Sequence, residues 1–189
     1  MTYVCEKIFG NINFNESPLE KGEYDNCHFR NCDFSNVNLS EFIFTACEFT
    51  ICNLSLAKLN KTAFREVSFK DCKMLGLHFD DCNGFGLLFC FDNCMLNDSG
   101  FYKTKIKKTI FKNSQLHEVD FSECDLSGSL FDNCDFMNAV FDGTNLEKAD
   151  LRTSYNYSIH PEKNRIKKAR FSVAGIAGLL NQYDIIIEN

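Results

Sequence analysis

The stretch Cys27–Leu54, CHFRNCDFSNVNLSEFIFTACEFTICNL, carries a large apolar residue at every fifth position: Phe29, Phe34, Leu39, Phe44, Phe49 and Leu54. Two residues before most of these sits something small: Cys32, Val37, Cys47 and Cys52. A period of five matches neither a helix, at about 3.6, nor a strand, at about 2. A fixed short period marks a repeat architecture and sets the frame for every other reading.

The rhythm extends in both directions. Upstream and downstream it runs through Phe14, Leu19, Tyr24, Leu59, Phe64, Phe69, Met74 and Phe79, slips by two residues, and resumes at Phe91. It continues as Leu96, Phe101, Ile106, Phe111, Leu116, Phe121, Leu126, Phe131, Phe136, Phe141, Leu146 and Leu151. All 27 anchors are Phe, Leu, Ile, Met or Tyr, and in 23 of them the residue two before is Gly, Ala, Ser, Thr, Cys or Val. A polar residue usually lies between the two, as in Ala149-Asp150-Leu151, and the two residues after the anchor are mostly polar.

This pattern resembles the pentapeptide-repeat proteins, whose units run small, Asp or Asn, Leu or Phe, then two variable residues. The resemblance spans roughly residues 12–171 and implies an all-β fold, a right-handed quadrilateral parallel β-helix with four pentapeptides per coil. Anchors such as Phe29, Phe34, Leu39, Phe44, Phe49, Phe121, Leu126, Phe131, Phe136 and Phe141 then point inward. Twenty residues make one turn, so residue n stacks on n+20, and about seven turns at a strand spacing of about 4.8 Å give a rod of about 35 Å.

Stacked columns follow from that register. One runs Cys32, Cys52, Cys72, then, past the slip, Cys94, Ser114, Cys134, Ser154; another runs Cys82, Thr104, Cys124, Thr144. Free Cys packs as a compact apolar filler, and in-register stacking holds the Cβ atoms slightly too far apart for an unstrained disulfide. The alternative is a metal or redox ladder. The slip lies in Asn83–Phe91, NGFGLLFCF, where Gly84 holds an anchor position. It reads as an irregular corner, either a tolerated insertion with Phe85 or Leu88 replacing the anchor, or a hinge.

Residues 1–10 precede the pattern and are expected to cap the first coil, residues 11–171 to form the β-helix, and residues 172–189 to close its far end. Ser172 is a good N-cap for a helix over Val173–Tyr183, with Val173, Ile176, Ala177, Leu179, Leu180 and Tyr183 on one apolar face. Ile185–Ile187 reads as a short strand. An apolar face of this size exceeds what a small cap needs, which points to a homodimer through the C-terminal end.

Composition narrows the class. The chain has 189 residues, 44% of them apolar, with 20 Phe and no Trp, enough for one sizeable core. Glu6 and Lys7 interrupt the N-terminal apolar patch, so no signal peptide is expected, and no stretch approaches the roughly 18 apolar residues of a membrane span. Eleven Cys on such a chain suggest free thiols and a cytoplasmic setting.

The net charge of −6 is unevenly spread. Lys103–Lys112 holds five Lys and no acid, and Asn164–Arg170 holds four bases. Between them, Glu118–Asp150 holds nine acids, Glu118, Asp120, Glu123, Asp125, Asp132, Asp135, Asp142, Glu147 and Asp150, against one base, Lys148. An acidic middle flanked by basic segments does not read as a direct nucleic-acid face.

No catalytic, metal or cofactor constellation emerges, and the chain is expected not to be an enzyme. His28 adjoins Cys27, but the repeat points one out and the other in; Cys90-x3-Cys94 is a lone pair. No phosphate loop, dinucleotide motif or nucleophile elbow occurs.

Within the pentapeptide-repeat proteins the chain is most similar to the Qnr and McbG group, through Phe89-Cys90, the stretch Asn145–Arg152 and the hydrophobic C-terminal end. That resemblance implies a DNA-mimicking rod that binds a type II topoisomerase, DNA gyrase or topoisomerase IV, and shields it from quinolones or a peptide toxin. The nine acids would then imitate phosphates against a basic DNA-binding saddle. The other reading is a generic interaction scaffold or toxin-immunity protein, with the acids only solubilising. A continuous negative stripe favours mimicry; one broken by Lys103–Lys112 favours the scaffold.

Overall fold

The computed structural model of the protein describes residues 2–183, 185 and 186. Eleven short strands follow along the chain: β1 (Thr2–Cys5), β2 (Ile8–Gly10), β3 (Gly22–Asp25), β4 (His28–Arg30), β5 (Ile43–Thr45), β6 (Glu48–Thr50), β7 (Ala63–Arg65), β8 (Val67–Lys70), β9 (Phe89–Asp92), β10 (Ile110–Lys112) and β11 (Leu130–Asp132). Every pairing among them is parallel. The fold is the all-β quadrilateral β-helix expected, with about seven turns.

Each turn has four sides. Side I holds β1, β3, β5 and β7, and lower down the column Lys105, Asp125, Asn145, Arg165. Side II is a continuous sheet in the order β2-β4-β6-β8-β9-β10-β11. Sides III and IV are narrower and joined by single bridges. Side III runs Asn13, Asp33, Asn53, Lys73, Met95, Gln115, Asp135, Tyr155, and side IV includes His78, Gly100, Asp120, Val140. Side III therefore lies opposite side I.

The five-residue unit explains both core and corners. Of the 27 anchors all are buried except Leu19, which is half-buried. On side II they form one column of stacked rings, Phe9, Phe29, Phe49, Phe69, Phe91, Phe111 and Phe131, at centroid spacings of 4.7–5.4 Å. That spacing is the strand spacing itself, so parallel stacking and backbone pairing satisfy each other. The residue two after an anchor turns the corner with positive φ, as at Asn31 (50°) and Asn36 (60°). Nine of the 24 non-glycine residues with positive φ are Asn, whose short polar side chain tolerates the left-handed region. Residues 2–10 supply β1 and β2 at the open end of both sheets, with Phe9 stacked on Phe29.

The Cys ladder does more than fill space. Cys52, Cys72 and Cys94 each donate from Sγ to an anchor carbonyl one coil back, on Phe29, Phe49 and Phe69, at 3.3–3.4 Å. Thr62, Thr144 and Ser154 place a hydroxyl in the same role, on Leu39, Phe121 and Phe131, at 2.7–2.9 Å. The small position is thus selected for a short donor as well as for size. All eleven Cys are free.

The register slip is real and confined to residues 84–88. Asn83 still bonds Thr62 in the normal pattern, whereas Ser68 pairs with Cys90, twenty-two residues on. The occupant of the anchor place differs from expectation. Phe85 is 77% exposed and Leu88 38%, while Leu87 turns inward at 7%. The two extra residues leave the chain free to choose, and Gly86, at φ 74°, makes the turn that delivers Leu87.

The C-terminal end also differs. In place of a continuous helix over 173–183 there are two short 3-10 segments, Ile176–Leu179 and Asn181–Tyr183. Gly175 and Gly178 explain it. A Cβ at Gly175 would fall 1.9 Å from the Tyr157 hydroxyl, and one at Gly178 would fall 2.2 Å from the Tyr157 carbonyl oxygen. The segment is pressed onto Tyr157, and the Gly178 carbonyl accepts the Ile159 N–H at 2.9 Å. Two glycines also weaken an α-helix that has no other support. Of the expected strand, Ile185 and Ile186 are not in a strand, and Ile187 lies outside the described residues.

Candidate functional site

In each unit the residue before the anchor and the two after it point outward, so each of the four sides presents a continuous surface to the surroundings. The register places the nine acids on all four of them. Asp125 and Glu147 lie on side I, Asp132 and Asp150 on side II, Asp135 and Glu118 on side III, and Asp120, Glu123 and Asp142 on side IV. They ring the last coils and do not share one face.

Ion pairs divide the nine further. Glu123 meets Lys103 at 3.5 Å, Asp125 meets Lys107 at 3.2 Å, and Glu147 meets Arg165 at 2.7 Å. Asp135 bonds the His117 ring at 2.8 Å, and Asp150 sits between Arg152 (2.8 Å) and Arg170 (3.6 Å). The Arg152 side-chain hydrogen bonds hold the Asp150 carboxyl below the usual carboxylate range. Glu118, Asp120, Asp132 and Asp142 make no ion pair among the described residues.

The sides differ in sign. Side III carries Glu16, Asp33, Asp98, Glu118 and Asp135, with Lys73 as its only Lys or Arg among the described residues. The Lys103–Lys112 cluster leaves it untouched, because that segment runs from the corner of sides IV and I to side II. Asp98, Asp33 and Glu16 were not singled out from sequence, where each is an isolated acid. Reading every twentieth residue, with two added at the slip, brings them into line.

At the C-terminal end Val173 is 88% exposed, Ile176, Ala177 and Tyr183 are exposed, and Leu179 and Leu180 are half-buried. Tyr155, 47% exposed, lies beside them across a hollow of about 550 Å³ floored by Tyr157. The Tyr157 hydroxyl is buried there without a hydrogen-bond partner.

Among the described residues no reactive centre is assembled. Burial pushes the thiols of Cys47, Cys124 and Cys134 up to about 12, so they stay protonated at neutral pH. Cys90 faces outward and Cys94 inward, which separates that pair. His28 lies 3.1 Å from Glu48 and His78 3.5 Å from Asp80, both at the surface. Among the described residues no group of three or more His, Cys, Asp or Glu is placed to hold a metal ion, and no helix is long and apolar enough to cross a membrane.

Comparison with known proteins gives a consistent result. A family model described as pentapeptide repeat region matches residues 22–90 and 89–155. No curated protein matches the chain in sequence. Among solved structures, a trypsin-treated form of QnrB1, a plasmid-mediated fluoroquinolone resistance protein, superposes with a TM-score of 0.57 at 16% identity, covering 100% of this chain and 92% of that one. A second trypsin-treated form of QnrB1 gives 0.55 at 15% identity, covering 100% of both chains. HetL, a pentapeptide-repeat protein of heterocyst differentiation regulation from the cyanobacterium Nostoc, gives 0.41 at 12% identity, covering 90% of this chain and 86% of that one.

Proposed function

We propose a function from one premise: this chain belongs to the pentapeptide-repeat family. It acts as a non-catalytic binding rod whose carboxylate-rich sides stand in for the phosphates of duplex DNA and engage a type II topoisomerase, DNA gyrase or topoisomerase IV. The observation that carries this reading is the segregation of charge by side. Side III presents five acids and one base over the length of the rod, in rows about 4.8 Å apart, of the same order as the 3.4 Å phosphate rise along one DNA strand. Side IV adds Asp120 on the adjoining face, in no ion pair among the described residues. A basic, DNA-shaped groove would be steered to this edge.

The shared fold with QnrB1 extends the reading to protection against quinolones, since that protein is a fluoroquinolone resistance protein. The exposed Val173, Ile176, Ala177 and Tyr183, with Leu179 and Leu180 behind them, fit a homodimer built through the C-terminal end by a self-complementary patch. Two rods end to end would offer the topoisomerase a twofold-symmetric, negatively charged surface.

The test is DNA supercoiling by purified gyrase with and without the protein, repeated with a quinolone present. Inhibition or protection at micromolar protein supports the reading. No effect in either assay leaves the rod as a scaffold for another partner.

A further inference from the structure

Three basic segments that are far apart in sequence converge on one part of the rod. From residue 101 on, the described chain has twelve Lys or Arg, and all lie on side I, its two bounding corners, or the adjacent side II. Side I itself gathers Lys105, Lys107 and Lys108, then Lys148, then Arg165, Lys167 and Lys168, all exposed. Its two carboxylates, Asp125 and Glu147, are each engaged by one of these bases, Lys107 and Arg165. The corner column Lys108, Gly128, Lys148, Lys168 repeats one backbone conformation, with φ of 58°, 71°, 60° and 61°, so three ammonium groups project from equivalent positions.

We propose that this lower half of side I is a contact surface for the phosphate backbone of a nucleic acid. It lies opposite the acidic side III and does not depend on the topoisomerase reading. The strip is made of Lys, which binds phosphate as a mobile point charge, with a single Arg. The outward positions between its bases are Asp125, Ser127, Gly128, Asn145 and Glu147, with no aromatic and no apolar anchor among them. A folded protein partner needs such an anchor at the centre of its interface; a polyanion held by charge alone does not, and neither does binding without sequence preference. From Lys108 to Lys168 is three coils, about 14 Å, the span of about four phosphates on one strand. The upper half of side I is acidic, with Glu6, Glu23, Asp25 and Glu66 against Arg65, and confines the contact to the lower half.

The experiment is fluorescence anisotropy of a labelled duplex of about twenty base pairs, titrated with the full chain from about 50 to 200 mM salt. The expected result is binding whose log K falls with log salt at a slope of about −3, matching three to four phosphates. The variant K108E/K148E/K168E weakens binding more than about tenfold, while R30E/K70E/K73E, with the same change in net charge on other surfaces, stays within about threefold. Glu118 and Glu123 already occupy equivalent corners with φ of 57° and 54°, so glutamate fits the backbone there. Failure to bind at low salt, or equal loss in both variants, overturns the proposal. Tighter binding of poly-glutamate than of the duplex assigns the strip to an acidic protein instead and also overturns it.

Discussion

Phe69 and Phe91 stack at 5.4 Å with their planes 10° apart, although twenty-two residues separate them where the rest of the column uses twenty. The insertion at residues 84–88 is absorbed wholly on side I, and side II passes the slip without a break. A local defect of this kind is possible because each coil is held chiefly by its neighbours.

The insertion yields a paired prediction. Leu87→Ala should cost about 2–3 kcal/mol, because Leu87 is the buried occupant of the anchor place. Phe85→Ser should change stability by less than about 0.5 kcal/mol, since its ring is 77% exposed, with the Arg65 guanidinium 6.0 Å from its centroid. Urea unfolding of both variants checks this. The reverse order would mean that Phe85 fills the core.

Phe131 is fully buried and stacks on Phe111 at 4.9 Å. Phe131→Ala should therefore destabilise the rod by about 3–5 kcal/mol, seen as a lowered denaturation midpoint. A loss under about 1 kcal/mol would mean that the site is not a packed anchor.

Ile51 turns a corner with φ 56° and is 59% exposed. A β-branched residue in that region is strained by about 1–2 kcal/mol, and little packing is lost on removing it. Ile51→Asn should raise stability by about 1 kcal/mol, measured by chemical denaturation.

Alkaline pH should unfold the rod through its thiols. Burial raises Cys47, Cys124 and Cys134 to about 12 in the folded chain, against about 8.5 unfolded. Above about 8.5 the unfolded chain loses these protons and the folded chain keeps them. Stability is thus complete below that pH and falls by about 1.4 kcal/mol per pH unit for each thiol on the way to about 12. Denaturation midpoints from pH 7 to 11 test the slope; Cys124→Ser should make it shallower.

The core was legible because the anchors are periodic and nearly uniform in type. Stacking n on n+20 then placed Phe29 on Phe49 without further information. Leu87 was not legible, since a two-residue insertion lets any of several apolar side chains turn in. The C-terminal segment misled because its apolar spacing is helical, while Gly175 and Gly178 serve a close approach to Tyr157 that only the fold reveals. The charges were legible as runs along the chain and misleading in that form. Wound at twenty residues per turn, Glu118–Asp150 spreads around the rod, whereas Lys105–Lys108 and Arg165–Lys168 come together.

The central claim is that the edge of sides III and IV engages a type II topoisomerase. Its most direct test is inhibition of gyrase supercoiling by the wild-type rod and by D98K/E118K/D120K, which reverses charge on side III and the adjoining face of side IV. The account predicts inhibition at micromolar wild-type protein and its loss in the variant. Equal inhibition by both, or none by either, would contradict it.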